Sequence, residues 1–364
     1  MGSEGRPRRI VFMALYLLFA VAAFEAFSRL ALRLVLDRYT NTGNASVQWR
    51  QRWIEVNRSR LAGPYRFARG FDRHDPRRGW ALQADLRNLE VFAGKRLNSN
   101  SRGLRGVREY RIARMPGVGR ILCLGDSYTF GEDVSDGETY PSYLRELLPE
   151  WEILNFGVHG YGHDQMLIYL CDEGVQYRPD LIVLGFYFGD LDRNMCWFRD
   201  YAKPRFAIRN GRLRLRGVPV PAPDAVLAAA PYRLRSLDVL SFIRDGWFWK
   251  YYTDEYDARK IVLGKMLITA MRDEAHGIGA EFVFMDVCSP FRLPIDIYMA
   301  EENRSFSEFC RIEGIPYLTM ASVFEPHLDR LEALALQGHW SPEANRLIAA
   351  ELHAFLVNRG LVNR

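Results

Sequence analysis

A serine becomes a nucleophile only where a base can reach its hydroxyl and where the negative charge created by its attack can be held. The stretch RILCLGDSYTFGEDV, Arg120 to Val134, offers such a place. Ile121 to Leu124 is a short apolar run with the length of a buried strand. The chain then breaks at Gly125, presents Asp126-Ser127, and continues into residues able to open a helix. A serine on a tight strand-to-helix turn is held out where an imidazole can take its proton. The N–H groups of the following turn point at the same spot. Ser and Asp are also preferred helix N-caps, so Gly-Asp-Ser taken alone reads more readily as a cap. His159 and His163 have no Cys or carboxylate cluster at ligand spacing, so the residues predict no metal.

The full string GDSYTFG directly after an apolar strand resembles the first block of the SGNH (GDSL-type) esterase and acyltransferase superfamily. NFGVHGYG, with Asn155-x-Gly157-x-x-Gly160-x-Gly162, is similar to its second block. That resemblance implies that the Gly160 N–H reaches an oxyanion where a side chain would obstruct. QGHWSPEANRLIA resembles the last block and implies that His339 is the base for Ser127. DPRRGWALQADL and LNSNSRGLRG are similar to the lead-in of membrane-anchored bacterial members. Two blocks depart from the pattern. After the third strand the family carries an asparagine that donates to the oxyanion. Here LGFYFGDLDRN aligns Gly189 with that asparagine and Asp190 with the acid after it. Either the Gly189 backbone serves, or Asn194 or Arg193 reaches in, or the hole is weak. The family also places an acid two or three residues before the histidine, where this chain has Gln337 and Leu336. The Gln337 carbonyl can hold the ring without charge. The alternatives are a Ser-His dyad, a carboxylate from elsewhere (Asp329 or Glu343), or a site without hydrolytic activity. Catalytic roles therefore fall on Ser127 and His339 and oxyanion roles on Ser127, Gly160 and Gly189. Supporting roles fall on Asp126, Asp190, Asn194 and Gln337.

The resemblance implies a flavodoxin-like three-layer α/β/α sandwich with a central parallel sheet, and the hydrophobic pattern agrees. Apolar strands at 120–124, 152–156, 181–186, 281–287 and 316–319 alternate with helical stretches near 140–148, 165–175, 258–276, 297–313 and 343–358. Alternation of this kind calls for a parallel sheet covered on both faces, with ligands at the carboxyl ends of its strands. Three segments follow: an anchor and juxtamembrane extension over 1–40, a basic lead-in over 41–119, and the α/β domain over 120–364. The lead-in shows few periodic segments and reads as an irregular, mostly β covering layer. Between 195 and 257 the α/β pattern fails. A proline-rich run and the cluster WFWKYY, Trp247 to Tyr252, suggest a cap insertion over the site.

The 364 residues carry a formal net charge of +5, divided unevenly. Residues 1–120 have a net charge of +15 and the remainder −10. The front third thus suits an anionic neighbour such as lipid headgroups. No nucleic-acid motif accompanies the arginines, so no nucleic-acid partner is expected. Arg6, Arg8 and Arg9 precede an apolar run from Ile10 to Phe27 broken only by Glu25. This predicts an uncleaved signal-anchor with its basic end inside, although Ala20-Val21-Ala22 could be a cleavage site leaving a secreted protein. The five cysteines show no paired spacing, and Cys123 within its apolar strand reads as a small buried hydrophobe. The reading is a serine-dependent ester hydrolase acting through an acyl-enzyme on cell-envelope acyl esters. It faces outward from a bacterial cytoplasmic membrane and needs no cofactor or metal. The alternatives are an O-acyltransferase to an envelope glycan, or a non-catalytic assembly factor of SGNH type that binds glycan or lipid.

Overall fold

The computed structural model describes residues 5–36, 46–58, 70–243, 254–288 and 300–363. Its centre is a five-stranded parallel sheet: β1 (Gly119–Gly125), β2 (Trp151–Gly157), β3 (Leu181–Tyr187), β4 (Glu281–Val287) and β5 (Tyr317–Thr319). The spatial order is β2-β1-β3-β4-β5, with every pairing parallel. This is the doubly wound flavodoxin-like order, whose connections diverge between β1 and β3 and leave a crevice beyond their carboxyl ends.

The strands are apolar on both faces because both are buried. Ile121, Cys123, Ile153, Val183, Val283 and Met285 point to one layer, with Leu144, Ile348, Leu352 and Leu356 from the helices Tyr140–Leu147 and Pro342–Asn358. The intervening residues Leu122, Leu124, Leu154, Phe156, Leu184 and Phe284 point to the other. There they meet Met166, Leu170, Leu267 and Met271 of the helices His163–Asp172 and Asp254–Gly277. Cys123 is fully buried, and that burial pushes its thiol up to about 12. All five cysteines are free thiols.

Outside the sheet the structure departs from expectation. The lead-in contains the hairpins Asp72–Asp75/Gly79–Leu82 and Leu89–Val91/Lys95–Leu97, as a β layer requires. It also contains the helix Ser46–Arg58. Its buried positions include Gln48, Arg50, Gln51 and Asn57 beside Trp53 and Ile54, so no apolar stripe marked it in the sequence. The insertion holds the bridge Phe198–Arg199/Tyr201–Ala202, the hairpin Arg205–Arg209/Arg212–Arg216 and the helices Pro223–Ala229 and Arg235–Phe242. The aromatic cluster of Trp247 and Trp249 lies outside the described residues. At the amino end, the helix Gly5–Leu36 contains a 27-residue stretch, Arg8–Leu34, long and apolar enough to cross a membrane or serve as a signal sequence.

The turn after β1 sits directly on the end of β2. A Cβ on Gly157 would lie 2.1 Å from the Phe130 backbone nitrogen, so only glycine lets the two backbones approach. Gly157→Ala is therefore expected to cost at least about 2 kcal/mol of stability, with no flexible side chain able to yield. A denaturant melt that left the midpoint unchanged would show that the contact is looser than described.

Candidate active site

β1 ends at Gly125, and Asp126 caps the single helical turn Ser127–Phe130, its Oδ1 accepting from the Tyr128 N–H at 3.0 Å. The Phe130 N–H donates to the Asp126 carbonyl at 2.8 Å, and both Gly131 and Glu132 N–H groups donate to the Ser127 carbonyl at 2.9 Å. Gly131 and Asp133 then take left-handed φ values of 85° and 70°. The loop coils back on itself and returns the Asp133 side chain beside the serine. Arg105 holds this coil from outside. Its guanidinium donates to the Phe130, Gly131 and Val134 carbonyls at 2.7, 2.5 and 2.6 Å and to Asp136 Oδ1 at 2.9 Å. Arg105 is the second arginine of LNSNSRGLRG, so the lead-in braces the serine loop as well as covering it.

The base arrives from the other end of the chain. Ala335–Leu336 and His339–Trp340 form a short hairpin whose connection is Gln337-Gly338. Trp340 is buried and its Nε1 donates to the Cys288 carbonyl at 2.9 Å. Ser341 caps the helix Pro342–Asn358. The Tyr128 hydroxyl donates to the Gly338 carbonyl at 3.0 Å, and its ring packs against His339 at 5.0 Å. So fixed, His339 Nε2 lies 2.9 Å from Ser127 Oγ, and Nδ1 lies 2.9 Å from Asp133 Oδ2. A carboxylate on Nδ1 holds the proton there, leaving Nε2 to accept from the serine. Ser127 Oγ, the His339 ring and the Asp133 carboxylate thus form a continuous hydrogen-bonded chain with the geometry of a nucleophile–base–acid relay.

The acid is the residue that sequence reasoning missed. Gln337 is exposed at the tip of the hairpin with a φ of 43°. Among the described residues it makes no hydrogen bond to the ring. Asp329 is exposed, and the exposed Glu343 pairs with Arg330 at 2.8 Å. The expected dyad and both distant carboxylates give way to Asp133, six residues beyond the serine.

Gly160 has a φ of 73° and lines the same cavity as Ser127 and His339. A Cβ there would lie 2.5 Å from Asp200 Oδ2. Among the described residues, neither the Ser127 nor the Gly160 N–H is taken by another group. The other expected contributors are placed elsewhere. Gly189 precedes the short helix Asp190–Asn194, against the Tyr187 ring, and does not line the cavity. Asn194 is buried and turned away, its Oδ1 accepting from the Asp164 N–H and its amide nitrogen 3.1 Å from His163 Nδ1. Asp190 is buried against Arg193 at 2.5 Å. Burial drives its carboxyl well above the ordinary range, an effect that Arg193 opposes. Arg193 also donates to Asp126 Oδ2 at 3.1 Å and to the Tyr161 carbonyl at 3.0 Å, and of the described residues 188–194, directly after β3, it is the one that reaches the cavity lining. The lining thus receives a buried guanidinium from this segment, and no amide side chain.

Neither histidine of the second block joins the relay. His159 Nε2 bonds Asp72 Oδ2 at 2.6 Å. His163 stacks on Phe186 at 4.2 Å, and burial pushes its imidazole down to about 3, so it is neutral. Glu132, Asp133 and His339 bring donor atoms within 4.8 Å of one another. Both ring nitrogens of His339 already have partners there, so the cluster reads as part of the relay.

The cavity is about 550 Å³. One wall is Trp49, Arg52, Trp53 and Val56 of the helix Ser46–Arg58, and another is Arg199 and Asp200 of the insertion. The two walls join where Trp53 packs on Tyr201 at 4.9 Å and Arg199 lies 5.0 Å over the Trp49 ring.

No known family profile matches the sequence, and no curated protein does. Solved structures to which the chain is similar are GDSL-type lipolytic enzymes and esterases. A putative lipolytic protein of the G-D-S-L family from Desulfitobacterium hafniense is 14% identical, over 65% of this chain and 99% of that one, at a TM-score of 0.41. The psychrotrophic esterase EstA from Pseudoalteromonas is 12% identical, over 67% and 100%, at 0.40. An acetylxylan esterase, Axe2, from Geobacillus stearothermophilus is 12% identical, over 67% and 96%, at 0.41. At such distance those activities belong to those enzymes alone.

The relay makes a discriminating prediction. Asp133→Asn should lower kcat for an activated ester by about 10³–10⁴-fold through loss of the tautomer and the imidazolium's partner. Gln337→Ala should leave it near the unaltered rate. Equal losses in the two variants would return the acid's role to the histidine loop.

Proposed function

We propose that this chain is an SGNH-type serine ester hydrolase working through an acyl-enzyme. The observation that carries the reading is His339 bridging Ser127 Oγ and Asp133 Oδ2, each at 2.9 Å. As Ser127 Oγ bonds to the ester carbonyl carbon, its proton passes to His339 Nε2. Asp133 balances the imidazolium, and the Ser127 and Gly160 N–H groups receive the oxyanion. Collapse breaks the bond to the alcohol oxygen, which leaves with the proton from Nε2. Water, deprotonated by the same nitrogen, then attacks the acyl-enzyme and releases the acid, restoring the serine. None of these steps calls for a cofactor.

The wall of the cavity supports an acyl ester of a bulky hydroxyl compound as substrate. Two tryptophans offer apolar faces and three arginines offer donors, a combination suited to a sugar ring or an anionic headgroup. The same features favour transfer to a glycan hydroxyl as the second reading, because an acceptor held on Trp49 and Trp53 would displace water. The binding-only alternative drew on a missing asparagine and a missing acid; Asp133 on His339 Nδ1 counters the second, while the first departure stands.

The N-terminal helix is read as an uncleaved anchor with the α/β domain outside the cytoplasmic membrane. What supports retention is Glu25, which accepts from the Arg235 and Ser236 N–H groups at 2.8 and 2.9 Å and from the Ser236 hydroxyl at 2.9 Å. The helix is thereby joined to the insertion.

The purified chain should be labelled by a fluorophosphonate serine probe and should hydrolyse a short-chain activated ester. Ser127→Ala should abolish both while the melting temperature holds. Undiminished turnover and labelling in that variant would end the catalytic reading.

A further inference from the structure

The helix Arg235–Phe242 is built inside out. Its buried residues are Ser236 and Asp238, whereas Leu237 and Leu240 are 52% and 53% exposed. Leu234, just before it, and Ile243, just after, are 46% and 44% exposed, and Tyr232 is 87% exposed. Leu237, Leu240 and Ile243 recur every third residue and spread over about 120° of one side, with Leu234 at the extended N-cap. A helix in water places its apolar face inward and its polar face outward. The reverse arrangement fits an apolar surrounding medium.

The two buried polar side chains are both engaged within the protein. Asp238 takes Arg233 at 2.5 Å and Arg235 at 3.1 Å. Glu25 caps the amino end and also pairs with Arg29 at 2.9 Å. Glu25 shares a face of the N-terminal helix with Ser28 and Leu32, both buried. Most other described apolar residues of that helix are exposed, including Phe27 at 63%, Leu30 at 59% and Leu34 at 64%.

Length fixes the depth. About 20 residues cross the hydrocarbon core. Counted from Ile10, such a span ends near Arg29, which places Glu25 roughly 6 Å below the outer boundary at 1.5 Å per residue. A charge at that depth needs partners, and the amino end of Arg235–Phe242 with Arg29 supplies them. The capped helix must then lie at the level of the headgroups and upper acyl chains. Its leucines continue the exposed apolar surface of the anchor, and Arg233 and Arg235 sit where anionic headgroups lie.

We infer that Arg235–Phe242 with its flanking Leu234 and Ile243 is a second membrane-contacting element, an interfacial helix of the insertion that rests in the outer leaflet beside the anchor. The inference rests on the anchor reading. It carries the insertion, and with it the Arg199–Asp200 wall of the cavity, to the lipid surface.

The test uses the full chain reconstituted into phosphatidylethanolamine–phosphatidylglycerol vesicles. The photoreactive p-benzoylphenylalanine replaces Leu237 or Leu240, with Phe12 as the in-span reference and Arg212 as the water-facing one. Ester turnover reports that each variant is folded. Should one substitution abolish turnover, Ile243 offers the neighbouring position on the same side. Irradiation is expected to give phospholipid adducts at Leu237 and Leu240 comparable to Phe12 and several-fold above Arg212. Adducts at Phe12 alone would overturn the inference and leave the anchor intact. Absence of lipid at Phe12 would remove the anchor and the inference together. Protein adducts in place of lipid at Leu237 and Leu240 would mean that the face meets another chain, which also overturns it.

Discussion

The backbone-to-backbone approach at the carboxyl end of β1 is the constraint from which the site follows. The turn Ser127–Phe130 can sit on the sheet only because Gly157 presents no side chain to it. Gly125 similarly leaves room for Thr129, whose Oγ1 would lie 2.1 Å from any Cβ there. Asn155 Nδ2 then donates to the Thr129 carbonyl at 2.9 Å and ties the turn to β2. Lowered onto the sheet in this way, the turn aims the Ser127 hydroxyl along the crevice between β1 and β3. The coil that follows is tight enough to return Asp133 to the same place.

This compactness explains what the sequence made legible and what it hid. Alternating apolar runs disclosed all five strands, because each must fill two layers of core. GDSYTFG and GHWSPE marked the serine and histidine, since a strand–turn–helix and a capped helix leave local traces. Asp133 leaves no such trace. Its role depends on left-handed backbone at Gly131 and Asp133 and on three carbonyls gathered by Arg105, a residue from another segment. The one available signal was a buried-looking acid in Gly-Glu-Asp-Val so close to a nucleophile. The helix Ser46–Arg58 was hidden for a different reason. It buries Gln48, Arg50 and Gln51 against the insertion, and a wall built partly of polar side chains has no hydrophobic period.

The region after β3 shows the cost of reading a motif by position alone. Gly189 and Asp190 align with the family's donor and acid, yet the side chain that reaches the cavity lining belongs to Arg193, a turn later. Asp126, Asp190 and the Tyr161 carbonyl hold its guanidinium in place. A buried charge is tolerable there because its partners are fixed by the same packing that fixes the serine. Its presence in the cavity lining brings a permanent cation where an amide would bring only a dipole.

Placing the acid beside the nucleophile has a consequence in time as well as in space. Ser127 and Asp133 are made together, whereas His339 follows Ser127 by 212 residues. A chain emerging amino end first therefore carries hydroxyl and carboxylate through synthesis with no base to join them. The relay closes only when β5 has been laid down and the carboxyl-terminal helix docks on Tyr140–Leu147. Until then the serine is chemically silent. On the proposed reading, a growing chain is thereby spared the chance of attacking esters before it has folded.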